Sequence, residues 1–273
     1  MNWDIDFISK EDFRDHIKNT LREYGDNLNP YDIEKFNSNI IDPIKMVFDR
    51  AVYGESWEDI ISSEIFRQRD KSNNNSIGYF HQKIFQYICG CTVPANGTMG
   101  GWDVIVEKPE GYNADGANLV HKIYVEMKNK HNTMNGPSSE ATYIKMQNQL
   151  LHDDDCVCFL VEVIAKRKQN IVWKKTVNGQ KVSHARIRRV SMDDFYEIVT
   201  GDPNGFFKIC KILPEVVSDV LNEGSDIKIP NDTVIQELRD QARKINMGQE
   251  DLSMLMAMYM LGFSSYNGFK DLA

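Results

Sequence analysis

Two carboxylates and a lysine are spaced so that one local fold would gather them: Asp103, Glu126 and Lys128. Asp103 stands in Gly-Gly-Trp-Asp-Val-Ile-Val-Glu (100–107), and the other two in Lys-Ile-Tyr-Val-Glu-Met-Lys-Asn-Lys (122–130). Trp102, Val104 and Val106 alternate with Asp103 and Ile105, and Ile123 and Val125 alternate with Tyr124 and Glu126, which predicts two strands. Side chains two apart on a strand share a face, so Glu126 and Lys128 point the same way. If the strands pair as neighbours, Asp103 joins them.

That set suits hydrolysis of a phosphodiester. Two carboxylates can hold Mg²⁺, which prefers hard oxygen ligands and keeps several waters. Such an ion acts as a Lewis acid on the phosphoryl oxygen and lowers the pKa of a bound water. The lysine can orient that water or neutralise charge building on the phosphate. Glu-x-Lys alone is a common tripeptide, and the three residues would also suit the solvated face of a hairpin. The surrounding sequence favours the site.

At Asp103 and at Glu126-Met127-Lys128 the chain resembles the PD-(D/E)xK nuclease superfamily and, within it, the type II restriction endonucleases. The longer run Glu-Met-Lys-Asn-Lys-His-Asn-Thr-Met-Asn (126–135) is more distinctive. With the segment Phe-Tyr-Glu-Ile-Val-Thr-Gly-Asp-Pro-Asn-Gly-Phe-Phe that opens 195–214, it is similar to restriction enzymes that cut GGNCC-type sites. The resemblance covers roughly residues 30–220. One departure is Trp102, which stands where the superfamily pattern places a proline.

The resemblance implies an α/β fold: a restriction-endonuclease-like core with a central mixed β-sheet flanked by helices, plus N- and C-terminal helices. It implies Mg²⁺-dependent, site-specific hydrolysis of double-stranded DNA that leaves 5′-phosphate ends. Asp103 and Glu126 would bind the metal with the Met127 carbonyl, and Lys128 would position or activate water. A homodimer would match a palindromic site, and a companion DNA methyltransferase would protect the host genome. Many relatives carry an extra acid on the helix before the first catalytic strand. Here that position is the neutral Gln82, with Glu64 the other candidate, and packing or surface roles suit either equally well. Two other classes remain: a repair or structure-specific nuclease of the same fold, and a catalytically silent DNA-binding protein.

Bulk properties fit these readings. A chain of 273 residues can build one large domain, or a core with an appended helical part. Mean hydropathy is −0.46. No apolar run reaches membrane-span length, and the opening Met-Asn-Trp-Asp-Ile-Asp is unlike a signal peptide. Five cysteines in a chain this long suggest reduced thiols and a cytoplasmic setting. The pairs Cys89-x-Cys91 and Cys156-x-Cys158 are too closely spaced for a usual structural zinc site. Walker, Gly-x-Gly-x-x-Gly and Gly-x-Ser-x-Gly motifs are missing.

The net charge of −8 at first argues against a DNA partner, but its distribution argues back. Between Val163 and Met192 stand nine Lys and Arg and no Asp or Glu, so −8 is the balance of +9 there and −17 elsewhere. A local basic face on an acidic body suits phosphate contact, although charge runs are often just solvated.

The remaining elements position these groups. Residues 1–75 read as an N-terminal helical region packed on the core, opened by a capping pattern at Ser9. Within it, 67–75 reads as a polar loop before a helix from Ser76 to Ile88. Residues 76–222 read as the catalytic core, with the candidate set at one sheet edge and Cys156–Val163 as a strand buried on both faces. A helix from Pro137 to Leu151 would turn Lys145 and Gln149 toward DNA, or toward solvent. Asn178-Gly179 predicts a basic hairpin whose Lys174, Lys181, Arg186 and Arg188 would contact DNA, as would Lys130 and Asn132. Pro214 divides two helices, 222–232 reads as a linker, and 223–273 as a C-terminal helical region with a Met-rich last helix for core or dimer packing.

Overall fold

In the computed structural model, which describes residues 3–114, 116, 118–131, 133–223 and 231–264, the two alternating segments form strands that pair. The strands are β1 (Cys91–Thr92), β2 (Val104–Asn113), β3 (Leu119–Lys130), β4 (Cys156–Ile164), β5 (Asn170–Val172), β6 (Lys175–Val177), β7 (Gln180–Val182) and β8 (Ile187–Ser191). The helices are α1 (Lys10–Asn27), α2 (Ile33–Ser38), α3 (Pro43–Tyr53), α4 (Trp57–Lys83), α5 (Gly136–His152), α6 (Met192–Thr200), α7 (Gly205–Asn222), α8 (Val234–Ile245) and α9 (Glu250–Phe263). None of the described helices is long and apolar enough to cross a membrane.

The chain forms two compact units, Met1–Leu21 with Ser76–Ser225, and Arg22–Asn75 with Asp226–Ala273. The first is an α/β layered structure around a sheet of order β1-β2-β3-β4-β8-β5. β2 and β3 pair antiparallel, β3, β4 and β8 run parallel, and β5 returns antiparallel on β8, so the sheet is mixed. The first eight residues of β4 are all buried, as expected for an apolar strand covered on both faces. On one face Val104, Val125, Met127, Phe159 and Val161 pack with Phe13, Phe80, Ile84, Phe195 and Ile209 from helices and the turn after α4. On the other, Trp102, Ile105, Cys158, Leu160 and Ile187 pack with Tyr143 and Met146 of α5 and with Trp173.

The second unit is helical. Its core gathers Phe36, Met46, Trp57, Ile61, Leu238, Met254 and Met258. Asp32 and Asp42 cap α2 and α3 by accepting from Lys35 N and Lys45 N. Arg69 donates to both carboxylate oxygens of Asp232, at 2.9 and 2.5 Å. The methionines of α9 that are buried, Met254 and Met258, serve this core.

Three elements differ from the sequence reading. The polar stretch 67–75 is no loop but the middle of α4. Local pairs at helical spacing sustain it: Arg67 with Glu64, Ser72 with Gln68, and Asn74 with Asp70. α7 runs through Pro214 because Ile209, Val216 and Val220 keep one buried stripe, which outweighs the missing N–H. The second arm of the basic hairpin stops at Val182, and Ile187–Ser191 is a separate strand of the main sheet. The turn itself is as expected, with Asn178 at φ 49° and Gly179 at φ 76° between β6 and β7. Most of the expected 222–232 linker lies outside the described residues.

Candidate active site

The site starts from two glycines. Gly100 and Gly101 have φ of 74° and 68°, a left-handed pair that turns the chain so that Trp102 enters the core and Asp103 heads β2. Asp103 N–H donates to Val125 O at 2.9 Å, which continues the β2–β3 pairing one step past Val104. β1 pairs only with Ile105 and Val106, so at the level of Asp103 the outermost strand is β2.

The Asp103 carboxylate accepts from Met127 N–H at 2.6 Å. Next to it, Lys128 Nζ donates to one Glu126 oxygen at 2.7 Å and Lys145 Nζ to the other at 2.9 Å. Lys145 also donates to Gly101 O at 2.7 Å and lies 4.1 Å from the Trp102 ring centroid. The structure thus brings Asp103, Glu126 and Lys128 together and adds Lys145, which sequence reasoning had aimed at DNA rather than at Glu126. Only the sheet register and the position of α5 above it reveal that pairing.

The two carboxylates are pushed in opposite directions. Burial raises the Asp103 carboxyl to about 6, the negative Glu126 adds to this, and the Met127 N–H and the two lysines offset part of it. Burial would raise Glu126 as well, but Lys128 and Lys145 hold it below the ordinary carboxylate value. An acid and a base set apart in this way are what proton-transfer chemistry uses.

A family model described as Eco47II restriction endonuclease matches residues 5–222. The chain is 30% identical over 250 residues to the type II restriction enzyme Sau96I of Staphylococcus aureus, covering 89% of this chain and 90% of that protein. It is 27% identical over 229 residues to the type II restriction enzyme Eco47II of Escherichia coli, covering 80% and 89%. The chain belongs to the Eco47II restriction endonuclease family. All four residues of the cluster fall inside that family's match, whereas α8 and α9 lie beyond it.

For a member of this nuclease family, the donor set can be tested against a metal. Among the described residues no three His, Cys, Asp or Glu side chains gather as a metal cage. Two carboxylates beside a peptide carbonyl instead fit a hard divalent cation that keeps much of its water, as Mg²⁺ does. Of the two further positions, Glu64 is an acid and Gln82 a neutral amide. Glu64 belongs to the helical unit, where Arg67 and Gln68 hold it. Gln82, near the end of α4, is half-buried and makes no polar contact among the described residues.

The DNA-facing candidates separate into two groups. Lys130, Lys174 and Lys181 are exposed. Gln149 accepts from the Trp102 indole at 3.1 Å, a structural contact. Arg186 is turned inward onto the carbonyls of Asp154 and Cys156. Arg188 donates to Asn170 Oδ1 at 2.6 Å, to Asn170 O at 2.7 Å and to Ala114 O at 3.1 Å. Both arginines therefore tie loops to β4 and β8, consistent with their place at the main sheet rather than on the hairpin. Asn132 lies outside the described residues.

A second charged cluster lies on β4. Glu162, 2% exposed, is bonded to Arg189, approached by His131 Nδ1 at 3.1 Å, and accepts from Gln169 Nε2 at 3.0 Å. The available signal was a lone acid in the otherwise apolar run Cys156–Val163, because a buried charge demands partners.

Proposed function

We propose that this chain is a type II restriction endonuclease that hydrolyses double-stranded DNA at a short palindromic site of the GGNCC type. The observation that carries the reading is the convergence of Asp103, Glu126 and Lys128 at the head of paired strands, in a chain of this family. The relatives' names describe type II restriction enzymes, which supports the reaction class.

Asp103, Glu126 and the Met127 carbonyl would hold Mg²⁺, which supplies Lewis acidity at the phosphoryl group and lowers the pKa of a bound water. Asp103 is kept in place for this by the Met127 N–H. Lys128 would position the attacking water and offset charge that grows on the phosphate. Lys145, stacked over Trp102, would keep Glu126 ionised and add a second positive charge. Two copies related by a two-fold axis would cut both strands, with the terminal helices completing the dimer and the DNA clamp. A companion DNA methyltransferase would protect the host sites.

The test is incubation of the purified chain with unmethylated phage DNA, in Mg²⁺ and in EDTA. Discrete bands in Mg²⁺ alone, with cut ends that share a GGNCC sequence, are the expected result. A smear would transfer the assignment to a nonspecific or repair nuclease. DNA binding without any cleavage would leave a silent DNA-binding protein.

A further inference from the structure

Beside the Asp103 cluster, across Lys128, a cavity of about 200 Å³ opens on the same side of the sheet. Its walls include Lys128, Lys130, Ser139, Lys175 and Arg189, and Glu162 lies in its floor. We propose that this cavity receives a backbone phosphate of the DNA, one neighbouring the phosphate at Asp103, Glu126 and Lys128. The proposal rests on the nuclease reading above and deepens it.

Four cations and one carboxylate line the cavity, and two of the cations are paired. Lys128 is paired with Glu126, and Arg189 with Glu162. Lys130 and Lys175 have no acidic partner among the described residues, so two positive charges face the space uncompensated. Lys175 Nζ donates to Ser139 Oγ at 2.6 Å, and that hydroxyl in turn donates to Gly136 O at 2.9 Å. The ammonium is thereby held at the cavity wall with two donors still to use. Arg189 is fixed by Glu162, and its Nε is buried. Its Nη2 is taken by Glu162 and by His131 Nδ1, so Arg189 lends the cavity a fixed positive charge rather than an open fork.

Size and place agree with a phosphate. A cavity of this volume has room for a phosphate group with a few waters. It lies at the carboxyl ends of the parallel strands β3, β4 and β8, where ligands of open α/β sheets bind. Lys128 and Glu162 are register partners on adjacent strands, about 4.8 Å apart.

The decisive experiment is a methylphosphonate scan, in which each duplex has one backbone phosphate replaced by a neutral group. The duplex carries the site read from the cut ends or, if the chain does not cut, a sequence selected by binding. Binding is measured in EDTA for the native chain, for Lys130→Met with Lys175→Met, and for Lys175→Arg. At one phosphate near the cut position, neutralisation should weaken native binding about tenfold and add nothing to the loss already present in the double variant. Lys175→Arg should restore that sensitivity, which a merely structural role of Lys175 would not do. The subsite is overturned if the double variant binds like the native chain, or if it loses as much as the native chain at every position. Cleavage with no such coupling would remove the subsite and leave the nuclease reading. Coupling without cleavage would do the reverse, and a chain that binds no DNA would remove both.

Discussion

Two acid–base clusters stand on one side of the same sheet, a single strand apart, and their carboxylates live differently. Glu126 meets two lysines, and its side chain keeps 15% of its surface open. Glu162, the β4 register partner of Lys128, is 2% exposed and is met by an arginine, a histidine ring and an amide. An ammonium is a point charge on a flexible stem, whereas a guanidinium is a preorganised fork. Partners of the first kind can turn from the carboxylate to a substrate phosphate. Partners of the second kind are part of the fold. The same residue type is therefore exchangeable on β3 and structural on β4.

The comparison is broken most severely at the first cluster. Asp103→Ala or Lys128→Ala should lower cleavage on the order of 10³-fold while leaving the circular dichroism spectrum and most DNA binding intact. Full activity in either variant would end the assignment. Glu162→Gln tests the structural partner, because it leaves Arg189 without its buried counter-charge. The expected cost is about 3 kcal/mol, read as a fall in Tm of roughly 6–12 °C. A Tm equal to that of the native chain would erase the distinction between the two glutamates.

A smaller effect separates the two carboxylates within the first cluster. Because the folded-state value of Asp103 is raised to about 6, the native chain holds that proton more tightly than the unfolded chain does. The stability this contributes is complete below pH about 4 and is lost as pH rises through about 6. In EDTA, Asp103→Asn should therefore stabilise the chain above pH 6 by on the order of 2 kcal/mol, with the gain vanishing near pH 4. Glu126 is held low, so its contribution is present near neutrality and fades on acidification. Glu126→Gln should change stability with the opposite sign, and urea titrations at several pH values would show it. Two variants that move together would contradict the opposed environments. Smallest of all, Lys145→Met should reduce kcat about tenfold, since Lys128 remains on Glu126. A loss as large as that of Lys128→Ala would mean that the two lysines are not ranked as the geometry ranks them.

How legible was this in the residues? The β2–β3 pair was readable because its pattern has a period of two over an apolar face, and that period dictates which side chains share a side. β4 was readable because its apolar run leaves no polar face. Lys145 on Glu126 and Arg189 on Glu162 were not, because each depends on which element lies beside which, 19 and 27 residues apart. Composition misled at 67–75, where polar residues signal solvent exposure and say little about backbone shape. Proline misled at 214, where a stripe of buried residues outweighed one absent hydrogen bond.

One further consequence belongs to β4. Enclosed by β3 and β8 and covered above and below, its amides can meet solvent only when the whole sheet opens. In deuterium the stretch 156–163 should therefore label last and report the rate of global opening, while the small β6–β7 ribbon labels early. Uptake at β4 would serve as an internal clock for the chain, set by the sheet rather than by the ligand.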